Sequence, residues 1–306
     1  MGKIAFVFSG QGAQHVGMGK DFYENNSSVR ALFDAAEEKR EGTLAQMFEG
    51  DEAELRKTEN TQPCLYLADL APAIALTEMG ITAEAAAGFS LGEFPSLAFS
   101  GALSPIDCFE LTVKRGKIMG AAASTQDAAM VAAVKLDNAT VEEVCREFTA
   151  VYPVNYNCHG QLVVSGERAQ IAEFSAKIKA RGGLALPLKV SGGFHSPFMD
   201  EAAKEFAAVL EITAFSAPKV KLYANRTGKE YGSDIVSVLS EQMNHPVLWE
   251  NTIKQMAEDG FDTFIETGVG NVLSKLIAKI LPAAHVYTAD SMEACEKIAK
   301  EVLENA

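Results

Sequence analysis

Apolar residues are spaced along this chain in two different ways. Ile4 to Phe8 is an unbroken apolar run closed by Ser9-Gly10-Gln11-Gly12, and it reads as a first strand. A helix-like stretch follows at Pro63 to Met79, then a small-residue strand at Ala85 to Gly88 that runs into a second helical pattern from Leu91. Near the other end, Phe261 to Glu266 reads as a strand and Val272 to Ile280 as a helix. Strands that alternate with helices imply a largely parallel sheet covered on both faces.

Residues 127–190 break this rhythm. Ala129 to Val134 reads as a strand and Asn138 to Glu147 as a helix, followed by strands at Val151 to Asn157 and Gln161 to Ser165. A helix at Glu167 to Arg181 and a last strand at Ala185 to Val190 complete a β-α-β-β-α-β series, the ferredoxin-like order. The sequence thus predicts an α/β protein in which residues 1–126 and 191–306 form a large, α/β-hydrolase-like domain. Residues 127–190 are expected as an inserted ferredoxin-like subdomain, with a cleft between the two.

Composition narrows the class. The 306 residues are 48% hydrophobic, enough for a sizeable core. No apolar stretch approaches the roughly 20 residues of a membrane span, and the first apolar run is too short and wrongly flanked for a signal peptide, so a cytoplasmic location is expected. A net charge of −14 disfavours nucleic acid as a partner. A polyanionic partner would have to meet local basic clusters, for which Lys114-Arg115-Lys117 and Lys177, Lys179, Arg181 and Lys189 are the candidates. The five cysteines are scattered and never in C-x-x-C spacing, which argues against a disulfide framework or a zinc site and for small buried hydrophobes.

Gly88-Phe89-Ser90-Leu91-Gly92 carries the chemistry. A G-x-S-x-G pentapeptide between a strand and a helix is a nucleophile elbow: the glycines permit the sharp turn, and the serine stands at a helix N-terminus that favours a developing oxyanion. Such a serine needs a base. His159, His195, His245 and His285 all follow it in the chain, and His195 lies in a flexible Ser191-Gly192-Gly193-Phe194-His195-Ser196-Pro197 turn suited to a cleft. No acidic residue declares itself as a third triad member. Gly10-Gln11-Gly12 and Gly268-Val269-Gly270 follow strands but lack the later glycine of a dinucleotide fingerprint, so both read as tight turns.

Arg115 is placed by its helix. Ser104-Pro105-Ile106-Asp107 is a helix start, and Cys108, Leu111, Arg115 and Ile118 then share one apolar stripe. A charge there needs a partner, either a ligand carboxylate or a structural acid such as Glu93. Asn155 and Asn157 alternate with Tyr156 on a strand and are expected on one face, where they could meet polar groups of a ligand.

Taken in order, these segments together with Gln62-Pro63, Asn244-His245-Pro246-Val247 and Glu266-Thr267-Gly268-Val269-Gly270 resemble the malonyl-CoA:acyl carrier protein transacylase family over nearly the whole chain. Phe89 and Val269 depart from the family's usual His and Pro. The resemblance implies malonyl transfer from CoA to a carrier protein's phosphopantetheine thiol, with Ser90 as nucleophile and His195 as base, and a main-chain or amide oxygen of Gln242 holding the imidazole. It further implies an oxyanion hole from the backbone N–H groups of Gln11 and Leu91. Arg115, Gln62, Asn155, Asn157 and Phe194 would contact substrate, and no metal or redox cofactor would be needed. The rival readings are a freestanding acyltransferase of a polyketide synthase, a serine hydrolase or thioesterase, and a noncatalytic carrier-binding module.

Overall fold

The computed structural model describes residues 2–190 and 192–304. Its strands are β1 (Lys3–Phe8), β2 (Ala85–Gly88), β3 (Ala128–Val134), β4 (Val151–Cys158), β5 (Gln161–Glu167), β6 (Leu184–Pro187), β7 (Lys221–Tyr223), β8 (Phe261–Thr267) and β9 (His285–Ala289). They form a five-stranded sheet in the order β7-β2-β1-β8-β9 and a four-stranded sheet in the order β4-β5-β3-β6. Every pairing in the first is parallel and every pairing in the second antiparallel.

The parallel sheet is covered on both faces, which explains its continuous apolar strands. Phe6 and Phe8 point into the larger of two cores, and Ala5 and Val7 into the other, with Trp249 and Ile253. Against the larger core lies the Thr58–Glu78 helix, buried at every position from Thr61 to Ala73. It begins before the expected Pro63, because the Lys57 carbonyl accepts from the N–H groups of Asn60 and Thr61 and builds a turn ahead of the proline. A helix buried all round shows no amphipathic period, which is why its start was obscure in the sequence.

The antiparallel sheet packs the Asn138–Cys145 and Arg168–Ala180 helices through a core of its own. Met130, Ala132, Val154 and Val163 join the larger core instead. The strand expected to reach Val190 ends at Pro187, with one more bond from Leu188 N–H to the Met130 carbonyl; β6 is an edge strand, where a proline is tolerated. Val247 pairs with the edge of β4, accepting from Tyr156 N–H and donating to the Val154 carbonyl, and so ties the two sheets together.

Candidate active site

β2 ends in the elbow. Ser90 takes a left-handed backbone conformation (φ 53°), a strained geometry for a non-glycine residue. The turn is possible only because its neighbours lack side chains: a Cβ on Gly88 would stand 1.9 Å from the Gly92 carbonyl group, and one on Gly92 would stand 2.1 Å from the Phe8 carbonyl oxygen. Asn225 clamps the elbow, its Oδ1 accepting from Ser90 N–H at 2.6 Å and its Nδ2 donating to the Gly88 carbonyl.

Ser90 Oγ lies 2.7 Å from His195 Nε2. On the other side of the ring, Nδ1 sits 3.0 Å from the Gln242 main-chain carbonyl. A carbonyl only accepts, so Nδ1 carries the proton and Nε2 turns its lone pair to the serine, the arrangement a general base requires. Burial, and after it the Arg115 charge, pushes the His195 pKa down to about 4, which keeps the imidazole neutral. His195 is itself held in a left-handed conformation (φ 60°) by its N–H bond to the Met243 carbonyl. The other candidate bases stand elsewhere: His159 and His285 are exposed, and His245 Nδ1 faces Glu241 and Asn244 oxygens.

Arg115 is buried on the Pro105–Ser124 helix, whose start is capped as expected by Ser104 Oγ accepting from Asp107 N–H. Lys114 and Lys117 are exposed, so the three cations make no common patch. The guanidinium is held by two amide oxygens, donating from Nη1 to Gln62 Oε1 at 2.9 Å and from Nη2 to Gln242 Oε1 at 2.7 Å. Nη2 also reaches Ser90 Oγ at 3.4 Å, and the group lies over the Phe94 ring. Nε is buried and unpartnered, and among the described residues no carboxylate pairs with this charge directly. Glu93, the acid proposed as a structural partner, is reached only through Gln242, whose Nε2 donates to Glu93 Oε2 at 2.9 Å. Burial lowers the Arg115 pKa to about 9 and raises that of Glu93 to about 7. A guanidinium on neutral amides beside a nucleophile is a ready seat for a carboxylate.

A model of the acyl transferase domain family matches residues 5–299. The chain belongs to that family. It is 37% identical to the malonyl CoA-acyl carrier protein transacylase of Bacillus subtilis (strain 168) over 100% of both chains. The identity is 36% to the transacylase of the same name from Staphylococcus aureus (strain MSSA476), over 92% of this chain and 93% of that one. The crystal structure of malonyl CoA-acyl carrier protein transacylase from Clostridium perfringens superposes with a TM-score of 0.95 at 34% identity, covering 99% of this chain and 98% of that one. A malonyl-transacylase in complex with its type II PKS acyl-carrier protein gives a TM-score of 0.94 at 32% identity, over 98% of this chain and 99% of that one.

In this acyl transferase, Gln11, Gln62, Leu91, Asn155 and Phe194 line one cavity with Ser90, Arg115 and His195. The Gln11 loop lies against the elbow, since a Cβ on Gly10 would stand 2.8 Å from the Phe89 carbonyl oxygen. Asn157 is buried and does not line the cavity, and register shifts interrupt the β4–β5 pairing on either side of Asn155 and Tyr156. Gln242 stands behind Arg115, and it is its main chain, with no help from its side chain, that meets the imidazole. Sequence reasoning missed Asn225 altogether, and also the apolar wall of Phe89, Met119, Met130, Leu188 and Val190. Phe89 packs edge-on against Trp249, an apolar contact that suits its ring. In the second basic cluster, Lys177 and Arg181 are engaged with Glu147, which leaves Lys179 and Lys189 outside that ion pair.

Proposed function

We propose that this chain transfers a malonyl group from malonyl-CoA to the phosphopantetheine thiol of an acyl carrier protein. His195 Nε2 takes the Ser90 hydroxyl proton as Oγ attacks the thioester carbonyl. The N–H groups of Gln11 and Leu91 hold the oxyanion, which collapses to the malonyl-serine ester and expels the CoA sulfur, reprotonated by His195. The carrier thiol then gives its proton to His195 and attacks the ester, restoring Ser90. Every bond made and broken is accounted for by these groups, so the reaction calls on no metal or redox cofactor. Asn155 faces the pantetheine arm and Phe194 the acyl group, while residues 127–190 act as an inserted subdomain that closes the cleft.

The observation that carries the reading is the buried Arg115 fork, directed at Ser90 Oγ and lacking a carboxylate of its own. The names of the relatives support the same substrate and acceptor. Among the described residues no helix is long and apolar enough to cross a membrane, consistent with a cytoplasmic enzyme. The likeness to the complex with a PKS carrier favours one second reading, service to a polyketide rather than a fatty acid carrier. Intact-mass analysis after mixing with malonyl-CoA and no acceptor tests the main one. The expected result is one malonyl adduct, mapping to Ser90 and absent from Ser90→Ala; rapid hydrolysis to free malonate would point to a hydrolase instead.

A further inference from the structure

The Gln242 amide has an oxygen and a nitrogen of similar size, so only their partners decide which way round it stands. Its oxygen side faces Arg115 Nη2. Its nitrogen side faces two acceptors, the Ser90 carbonyl at 2.7 Å and Glu93 Oε2 at 2.9 Å. Glu93 is the one acidic acceptor of the pair, and it is completely buried on the first turn of the Glu93–Phe99 helix, just beyond the elbow. Its other oxygen, Oε1, is itself fixed by Tyr231 OH at 2.6 Å and by Asn225 N–H at 3.1 Å. Asn225 is the residue whose side chain clamps Ser90. The carboxylate therefore accepts on both oxygens from three residues on two segments, the 222–231 turn and Gln242, and it does not line the cavity.

We propose that Glu93 is a positioning residue that fixes which way round the Gln242 amide stands, and so keeps Arg115 aimed at the acyl carboxylate. This rests on the reading of Arg115 as the malonyl-binding cation. A neutral amide at position 93 cannot accept on both sides. If its nitrogen faces Gln242, the Gln242 amide must turn over, which sets its nitrogen against Arg115 and its oxygen against the Ser90 carbonyl. If its nitrogen faces Asn225 N–H, two donors oppose each other and the carboxylate's hold on the elbow is lost. The charge matters as well, since Glu93 and Arg115 stabilise each other through the intervening amide.

The test is the ratio of kcat/KM for malonyl-CoA to that for acetyl-CoA in the whole enzyme, with thermal stability recorded beside it. Glu93→Gln should lower that ratio by about tenfold or more, because the malonyl carboxylate alone depends on the aim of Arg115. Glu93→Asp keeps the charge but falls one methylene short of Gln242; it should lower the ratio in the same direction, and it serves if Glu93→Gln fails to fold. Added to Gln242→Ala, either change should leave the ratio within about twofold of Gln242→Ala alone, since the two residues act through one bond. Equal losses on both substrates, an unchanged ratio, or a full further loss in the double variant would each overturn the inference. A wild-type enzyme that does not prefer malonyl over acetyl would overturn the functional reading beneath it.

Discussion

The elbow and the antiparallel sheet treat buried polar groups differently. Around the elbow, Ser90, Asn225, Gln242, Glu93 and Gln62 are cross-bonded into one network with Arg115, whose Nε alone in it lacks a partner, although elsewhere around the parallel sheet Asp69 Oδ2 and Trp249 Nε1 are unpartnered too. In the antiparallel sheet, Asn155 Oδ1, Asn157 Oδ1 and Ser165 Oγ are buried without partners; of these residues only Asn155 lines the cavity, beside Met130 and, just past the last strand, Leu188 and Val190. Bond making needs groups held in place before the substrate arrives, because reorganisation would add to the barrier. A flexible thioester arm needs the reverse, a wall with unspent acceptors that are satisfied only on binding. On the proposed mechanism, then, the elbow's network would do the chemistry and the antiparallel side would receive the arm.

The sharpest way to break this division is to remove the base. His195→Ala should slow both acylation of Ser90 and transfer to the carrier by about 10² to 10⁴-fold, since in the proposed mechanism one imidazole acts first as base and then as acid. Substrate KM should change little. In the wild type, a pKa pushed down to about 4 means the active, neutral imidazole persists through the neutral range. The acylation rate should accordingly stay flat above about pH 5 and fall as acid protonates Nε2. A midpoint near the ordinary histidine value, read from stopped-flow acylation against pH, would show that the site is less desolvated than its burial implies.

Arg115→Ala comes next in size. Removing one partner of a buried charge pair costs roughly 3 to 5 kcal/mol, so malonyl transfer should fall by at least about a hundredfold. Acetyl transfer, with no carboxylate to hold, should be spared. Measuring kcat/KM for both acyl-CoAs decides the matter: parallel losses would make Arg115 a strut of the network and remove its claim on the substrate.

Much of this was legible in advance, and the failures have physical causes. The elbow could be read because Gly88 and Gly92 leave room that no other residue would, and a steric demand of that kind is visible in sequence. The antiparallel order was readable from short alternating strands. What eluded the sequence depends on distant pairing. Asn225 reaches Ser90 across 135 positions, so no local pattern could announce it. Gln242 was tied to His195, but the bond uses its carbonyl, which every residue possesses. The register shifts in the β4–β5 pairing could not be foreseen either, because β-bulges leave no trace in a strand's own alternation.

The smallest predicted effect tests the receptive side directly. Asn155 lines the cavity and its Oδ1 is buried and unpartnered, while β4 holds its backbone against Val163 of β5. If it serves to accept from an amide N–H of the pantetheine arm, that bond is made only in the complex, and a typical net hydrogen bond is worth about 0.5 to 1.5 kcal/mol. Asn155→Ala should then raise KM for malonyl-CoA by about threefold to tenfold and leave kcat near its wild-type value. Thermal stability should hold or rise slightly, because the change deletes a buried acceptor that the free enzyme leaves unsatisfied. Asn157→Ala, away from the cavity, should leave KM unchanged, and steady-state kinetics with a melting curve for each variant make the comparison. A large fall in kcat for Asn155→Ala with KM unmoved would place the small sheet inside the chemistry, and the division of labour between the two sheets would have to be abandoned.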